Sequence, residues 1–223
     1  MGENLGIVVF TLQVAAVSTG VNLPLALGLA ASMRRLPRKF AAVVETLVTL
    51  PLVLPPTAVG FLLLELLSRQ RTVGRLLDRV GIDVLFTPKA VVIATAIMSF
   101  PLMYRAFRAA LEGVDRRYFD VARTLGATPA RAFFRVVVPL AWRGILAGIL
   151  LAYCRALGEF GATVLVAGNI PGRTQTIALA IYSRVQSGNE DAARPLLLIA
   201  VILAFAAVAI SELVTRIEER RAS

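Results

Sequence analysis

Residues Asp120–Pro139 read D-V-A-R-T-L-G-A-T-P-A-R-A-F-F-R-V-V-V-P and stand between two long apolar segments. With Asp120, Arg123, Arg131 and Arg135, the stretch is too polar for hydrocarbon and belongs at a membrane surface, as two short amphipathic helices. Thr128 followed by Pro129 is a helix start, a hydroxyl N-cap and then proline at the first helical position. Gly126 suits the left-handed turn that closes the preceding helix. The predicted shape is a helix–glycine–helix elbow in the cytosol, suited to being gripped by a soluble partner. Residues 115–139 thus form the cytosolic loop of one transmembrane domain that takes in residues 1–223.

The rest of the composition agrees with membrane embedding. The chain has 223 residues, of which 57% are hydrophobic, and a mean hydropathy of +0.76. This defines an all-α polytopic membrane protein. A single cysteine, Cys154, excludes an intramolecular disulfide and a multi-cysteine metal site. The absence of histidine from the sequence removes imidazole relays, histidine metal ligands and histidine-activated nucleophiles. No metal site and no catalytic residue is expected. The net charge of +10 would suggest nucleic acid in a soluble protein. Here it reads as topology and as attraction to lipid headgroups, with no nucleic-acid partner.

Working outward, the chain has no charge between Asn4 and Met33, more than the roughly 20 residues needed to cross hydrocarbon. Its basic cluster (Arg34, Arg35, Arg38, Lys39) follows the apolar run, unlike that of a cleaved signal peptide. The positive-inside rule therefore places the N-terminus outside. A second span, about Phe40 to Leu67, carries Glu45 near its cytosolic end. Pro51, Pro55 and Pro56 should kink or break it. An outside loop covers residues 68–89, and a third span runs from about Lys89 to Phe107. The elbow and a fourth span, Pro139 to about Leu157, follow. Glycines and Pro171 interrupt residues 158–193, where a short helix from about Thr174 to Val185 either dips towards the membrane or counts as a partial span. The last span, about Pro195 to Val214, ends in a cytosolic basic tail. Five spans are read, with six as the alternative count.

Charge supports this topology: 15 of the 24 basic residues fall in the cytosolic segments and eight outside. The outside loop is nonetheless basic, with five Lys and Arg between residues 69 and 89. It is either a rim attracting an oxyanion or acidic surface, or a solvated loop helix at residues 70–80.

Arg155 completes the 24. It stands four residues before Glu159 on one face of the fourth span, where the two can partly neutralise one another. Such a face borders a watery route or locks a helix end; both readings stay open. Around it lie A-L-G-E-F-G-A-T (156–163) and A-G-N-I-P-G (167–172). Non-helical backbone at membrane depth is tolerated where protein or water lines it, and glycine-rich backbone offers uncharged donors to an oxyanion. The stretch L-P-L-V-L-P-P-T (50–57) is a candidate for the facing half of a gate. Candidate path residues are Pro55, Pro56, Thr57, Arg155, Glu159, Phe160, Gly161 and Asn169.

The elbow resembles the signature loop of ATP-binding-cassette importer permeases: Glu-Ala-Ala, three residues, Gly, nine residues, Ile-x-Leu-Pro. Asp120 and Ala122 hold the first and third places, Gly126 the glycine, Val136 and Val138 the apolar places, and Pro139 the proline. Asp for Glu, Val121 for alanine, and the valines are departures that keep charge sign or apolar character. Segments 50–57, 99–115, 155–163 and 168–177 are similar, in order, to the permease subunits of molybdate importers. The resemblance implies a type I importer permease fold and an inward-opening homodimer with its pore on the two-fold axis. It also implies a periplasmic binding protein delivering molybdate or tungstate, and ATPase subunits docked on the elbows. It implies that Asp120 and Arg131 orient the elbow, that Gly126 and Thr128 sit at its tip, and that Phe133 and Phe134 anchor it to the spans. The chain lacks a G-x-x-x-x-G-K-[ST] phosphate loop, so ATP–Mg belongs to the partner ATPase and no cofactor is expected here. The placement is the cytoplasmic membrane of a bacterium or archaeon.

A sulfate or thiosulfate permease of the same fold is the nearest alternative. An intramembrane enzyme would need a nucleophile–base pair, and the sequence provides no histidine and no second carboxylate near Glu159. A membrane scaffold would explain the hydropathy without the elbow.

Overall fold

The computed structural model describes residues 2–33 and 36–220. Arg34 and Arg35 of the basic cluster, and Arg221 of the tail, lie outside the described residues. The helices are α1 (Gly2–Met33), α2 (Arg38–Val53), α3 (Pro56–Leu67), α4 (Thr72–Arg79), α5 (Pro88–Glu112), α6 (Arg116–Thr124), α7 (Pro129–Ala132), α8 (Val138–Leu157), α9 (Gly161–Ala167), α10 (Ile177–Gln186) and α11 (Glu190–Arg220). A π turn, Phe133–Val137, joins α7 to α8.

Four stretches are long and apolar enough to cross a membrane: Gly2–Met33, Pro88–Glu112, Pro129–Leu157 and Glu190–Ile210. The bent pair α2–α3 makes a fifth when taken as one span. This is the five-span reading, with one change of shape. The second span is two helices bent by 114°, because each residue before a proline is pushed out of the helical region. Leu54 precedes Pro55, and Pro55 precedes Pro56; both adopt extended backbone, with ψ of 144° and 133°.

Helix α5 is the axis of the packing, with α1 and α8 as its main neighbours. Small residues set the approach of α8, as at membrane helix interfaces generally. A Cβ on Gly144 would lie 2.4 Å from the Ala110 Cβ, and one on Gly148 would lie 2.8 Å from the Ala106 Cβ. Tyr104, Phe107, Met103 and Leu111 of α5 are fully buried near the elbow end, together with Val137 and Ala152. At the other end Val91, Ala94 and Met98 pack on α3 and α9 through Val59, Leu63 and Val166. Asn22 of α1 is buried but satisfied, donating to the Ala96 carbonyl at 2.9 Å and to Ser99 Oγ at 3.1 Å.

By contrast, α2 has no buried residue. Its partly buried Ala41, Val44 and Val48 rest on the cluster around α5, and Arg108 of α5 pairs with Glu45 of α2 and with Glu112 at 2.8 Å. The outer faces of α2 and α11 carry exposed apolar side chains such as Phe40, Leu47, Leu198, Val201 and Phe205. That is the pattern expected of surfaces covered by lipid or by another subunit, not by water.

Candidate functional site

Two places gather the sequence-derived candidates. The first is the elbow. Asp115 caps α6 by accepting the Arg117 N–H at 2.9 Å. The helix closes at Leu125, and Gly126 follows with φ +87°, a conformation that costs side-chain-bearing residues energy. The Ala127 N–H donates to the Ala122 carbonyl at 3.0 Å across that glycine, a bond typical of a left-handed helix end. Thr128 Oγ1 then accepts the Arg131 N–H at 3.2 Å and starts α7.

The second arm of the elbow is not a separate helix. It runs through the π turn straight into α8, so the fourth span extends over Pro129–Leu157 instead of beginning at Pro139. The reason lies in Pro139 itself: proline offers no N–H and crowds the carbonyl four residues back. In the π turn the Val138 N–H reaches back to the Phe133 carbonyl. This widened register accommodates the proline without breaking the rod. Phe133 packs against the core cluster that includes Tyr104 and Phe107, whereas Phe134 is 61% exposed and meets Phe133 edge-on with ring centroids 5.1 Å apart. Asp120 pairs loosely with Arg116 of its own helix at 4.0 Å. Leu125 at the tip is 83% exposed, and Tyr118 and Val121 are exposed beside it. Together with Ala122 and Val136 they line a concavity of about 540 Å³.

The second place is the break between α8 and α9. Gly158 ends α8, and Glu159, whose side chain is 2% exposed, turns back into the protein. One carboxylate oxygen accepts the Ala162 N–H at 2.9 Å, capping α9. The other lies 2.9 Å from Arg155 Nη1, an ionic contact out of line for a hydrogen bond. The structure also brings the proline break and the glycine break together. A Cβ on Gly161 would sit 2.7 Å from the Pro56 Cβ and 3.4 Å from the Thr57 N, and one on Gly60 would sit 2.8 Å from the Ala162 backbone. Phe160 packs against Tyr182 of α10 in a tilted ring pair with centroids 4.9 Å apart.

Two backbone amides of this region are engaged by side chains: Ala162 N–H by Glu159, and Ile170 N–H by Thr174 Oγ1 at 3.0 Å. Among the described residues, Thr19 Oγ1, Glu159 Oε2, Thr163 Oγ1 and Asn169 Oδ1 are buried without a hydrogen-bond donor or acceptor; three of the four fall within residues 159–169. The buried threonines Thr11, Thr163, Thr174 and Thr176 and the buried Gln175 were not singled out by sequence. Thr11 of α1 accepts the Ile177 N–H at 3.0 Å and so seats α10. The alternating T-Q-T of residues 174–176, at the start of a helix expected to dip towards the membrane or count as a partial span, was the available signal.

The elbow's second arm is continuous with a span-length helix, and the proline-broken pair α2–α3 makes a further span. The chain belongs to the family of binding-protein-dependent transport system inner membrane components, whose model matches residues 22–223. It is 43% identical over 217 residues to the molybdenum transport system permease protein ModB of Escherichia coli (strain K12), covering 96% of this chain and 95% of that one. It is 40% identical over 204 residues to ModB of Haemophilus influenzae, covering 91% and 89%. Among solved structures it resembles a bacterial transporter that imports the acidic polysaccharide alginate (TM-score 0.76, 17% identity, 97% of this chain and 80% of that). It also resembles the MetNI methionine transporter in inward-facing form (TM-score 0.71, 17% identity, 93% and 92%). At that identity these structures establish the fold, that of ABC importer permeases.

Proposed function

We propose that this chain is the membrane-spanning permease subunit of an importer that carries molybdate into the cytoplasm. The observation that carries the reading is its 43% identity, over 96% of its length, to a molybdenum transport permease. Two copies form the working unit, an extracytoplasmic molybdate-binding protein delivers the anion, and separate ATPase subunits supply the work. The chain holds no cofactor and hydrolyses no ATP; ATP–Mg acts in the partner. The membrane is the cytoplasmic one, with the C-terminus inside and residues 1–223 acting as one domain.

The elbow is the handle. An exposed Leu125 between two capped helices offers an apolar knob for the ATPase. Asp120, Ala122, Gly126, Thr128 and Arg131 shape this handle, and Pro139 marks where it meets the span. Because the second arm runs unbroken into α8, displacement at Thr128 tilts that helix as a rod and moves its far end, where Arg155 and Glu159 sit. There Pro55, Pro56 and Thr57 close against Gly161, so tilting α8 shifts α9 against α3. Phe160 directly precedes this contact, and Asn169 lies just past the end of α9. Thr163 Oγ1 and Asn169 Oδ1, buried without a hydrogen-bond partner, support a polar setting at this break past which an oxyanion slips without being held.

The test is reconstitution in proteoliposomes with the ATPase and alternative binding proteins. Molybdate uptake and ATPase stimulation by the molybdate-loaded protein are expected. Stimulation confined to the sulfate-loaded protein would refute the choice of cargo.

A further inference from the structure

The basic loop between α3 and α5 takes no part in the mechanism above, yet its charges are unevenly spent. Glu65, Asp78 and Asp83 are its acids. Arg69 engages two of them, Asp78 at 3.2 Å and Asp83 at 2.6 Å, and its hydrogen bond holds the Asp83 carboxyl below the usual carboxylate range. Arg71 engages Glu65 at 3.2 Å. This leaves Arg75 and Arg79, exposed and one turn apart on α4, with no acidic partner among the described residues.

Helix α4 has three faces. Leu77 packs on the core, and Gly74 sits so close to the preceding turn that a Cβ would lie 2.0 Å from the Ser68 carbonyl. At about 100° per residue, Val73, Leu76 and Val80 form a second stripe, and all three are exposed, as is the nearby Ile82. Arg75 and Arg79 make the third face. A helix of eight residues is not stable alone in water, and this one shows the solvent a row of large apolar side chains beside two uncommitted cations. Leu66, Leu62 and Phe61 of the preceding α3, a helix of the broken span, are exposed as well.

We propose that α4 is an interfacial anchor that lies on an anionic phospholipid surface at the membrane face opposite the elbow, with Val73, Leu76 and Val80 in the acyl boundary and Arg75 and Arg79 on lipid phosphates. The charge pattern selects this occupant: two uncommitted guanidiniums beside an apolar stripe gain most from a surface of net negative charge, whose phosphates carry no compensating headgroup cation, whereas a zwitterionic headgroup already neutralises its own phosphate. The anchor would fix the outer end of α3, and thereby the seat of the Pro56–Gly161 contact, while α8 tilts. The inference needs only the membrane embedding and not the identity of the cargo.

The single tryptophan, Trp142, makes a direct test available. The full chain carrying Trp142→Phe and Leu76→Trp is reconstituted with its ATPase in vesicles of phosphatidylcholine with or without phosphatidylglycerol. An indole seated about 5–10 Å into the interface loses most of its emission to lipids brominated in the upper acyl chain and is spared by aqueous iodide. Adding phosphatidylglycerol deepens the quenching, and R75Q/R79Q abolishes that dependence. Quenching by iodide alone would mean a solvated helix, and protection from both quenchers would mean a protein contact; either overturns the proposal. So would a phosphatidylglycerol dependence that survives R75Q/R79Q. Uptake of molybdate by the Leu76→Trp protein, measured in parallel, keeps the cargo question separate.

Discussion

Replacing Glu159 by alanine removes the ionic contact to Arg155 and the acceptor for the Ala162 N–H in one step. A buried pair broken from one side costs about 3–5 kcal/mol. Arg155 keeps 28% of its side chain exposed, so water screens part of the stranded charge and ~2 kcal/mol is expected for this loss. The missing helix cap adds about 1 kcal/mol. Glu159→Gln retains the acceptor and should lose the charge contribution alone. Arg155→Met placed on top of Glu159→Gln removes the stranded cation, so the double variant should be more stable than Glu159→Gln by roughly 1 kcal/mol. The measurement is reversible unfolding of the chain in mixed micelles, followed by helical circular dichroism, with molybdate uptake by proteoliposomes alongside. Should Glu159→Ala cost less than about 1 kcal/mol, or should Arg155→Met deepen the defect of Glu159→Gln, the pair is not what holds the α8–α9 break.

The remaining predictions concern glycines. Gly126→Val places a β-branched residue at φ +87°, a cost of about 1–2 kcal/mol confined to the elbow, since a Cβ there meets no other atom. Membrane insertion should be normal while ATPase stimulation no longer drives uptake, and normal uptake would remove the elbow from the mechanism. Gly60→Val forces a Cβ to within 2.8 Å of the Ala162 backbone, which cannot swing aside as a flexible side chain would. Overpacking of this kind costs ~1–3 kcal/mol, and separation of α3 from α9 should abolish uptake; a variant with unchanged uptake would show that this contact does not gate.

Much of the fold could be read locally. A charge-free run long enough to span, glycine followed by Thr-Pro, and consecutive prolines each impose their conformation through steric and capping effects that act over a few residues. The helix ends at Leu125 and Thr128 and the break at Leu54–Pro55 accordingly lie where those residues require. Continuity through Pro139 was not legible in the same way. A proline after a charged loop reads as a helix start, and the π turn, whose Phe133 packs against the core cluster, lets the helix pass through.

What the sequence determined by itself was which segments avoid water and where the backbone must turn, since hydropathy, proline sterics and glycine freedom are properties of neighbouring residues. What tertiary structure decided was which breaks meet. Pro56 touches Gly161, Thr11 seats α10, and Arg69 takes both aspartates of its loop, leaving Arg75 and Arg79 exposed. These pairings join residues distant in the chain through close packing and charge competition, and no local pattern records the partner.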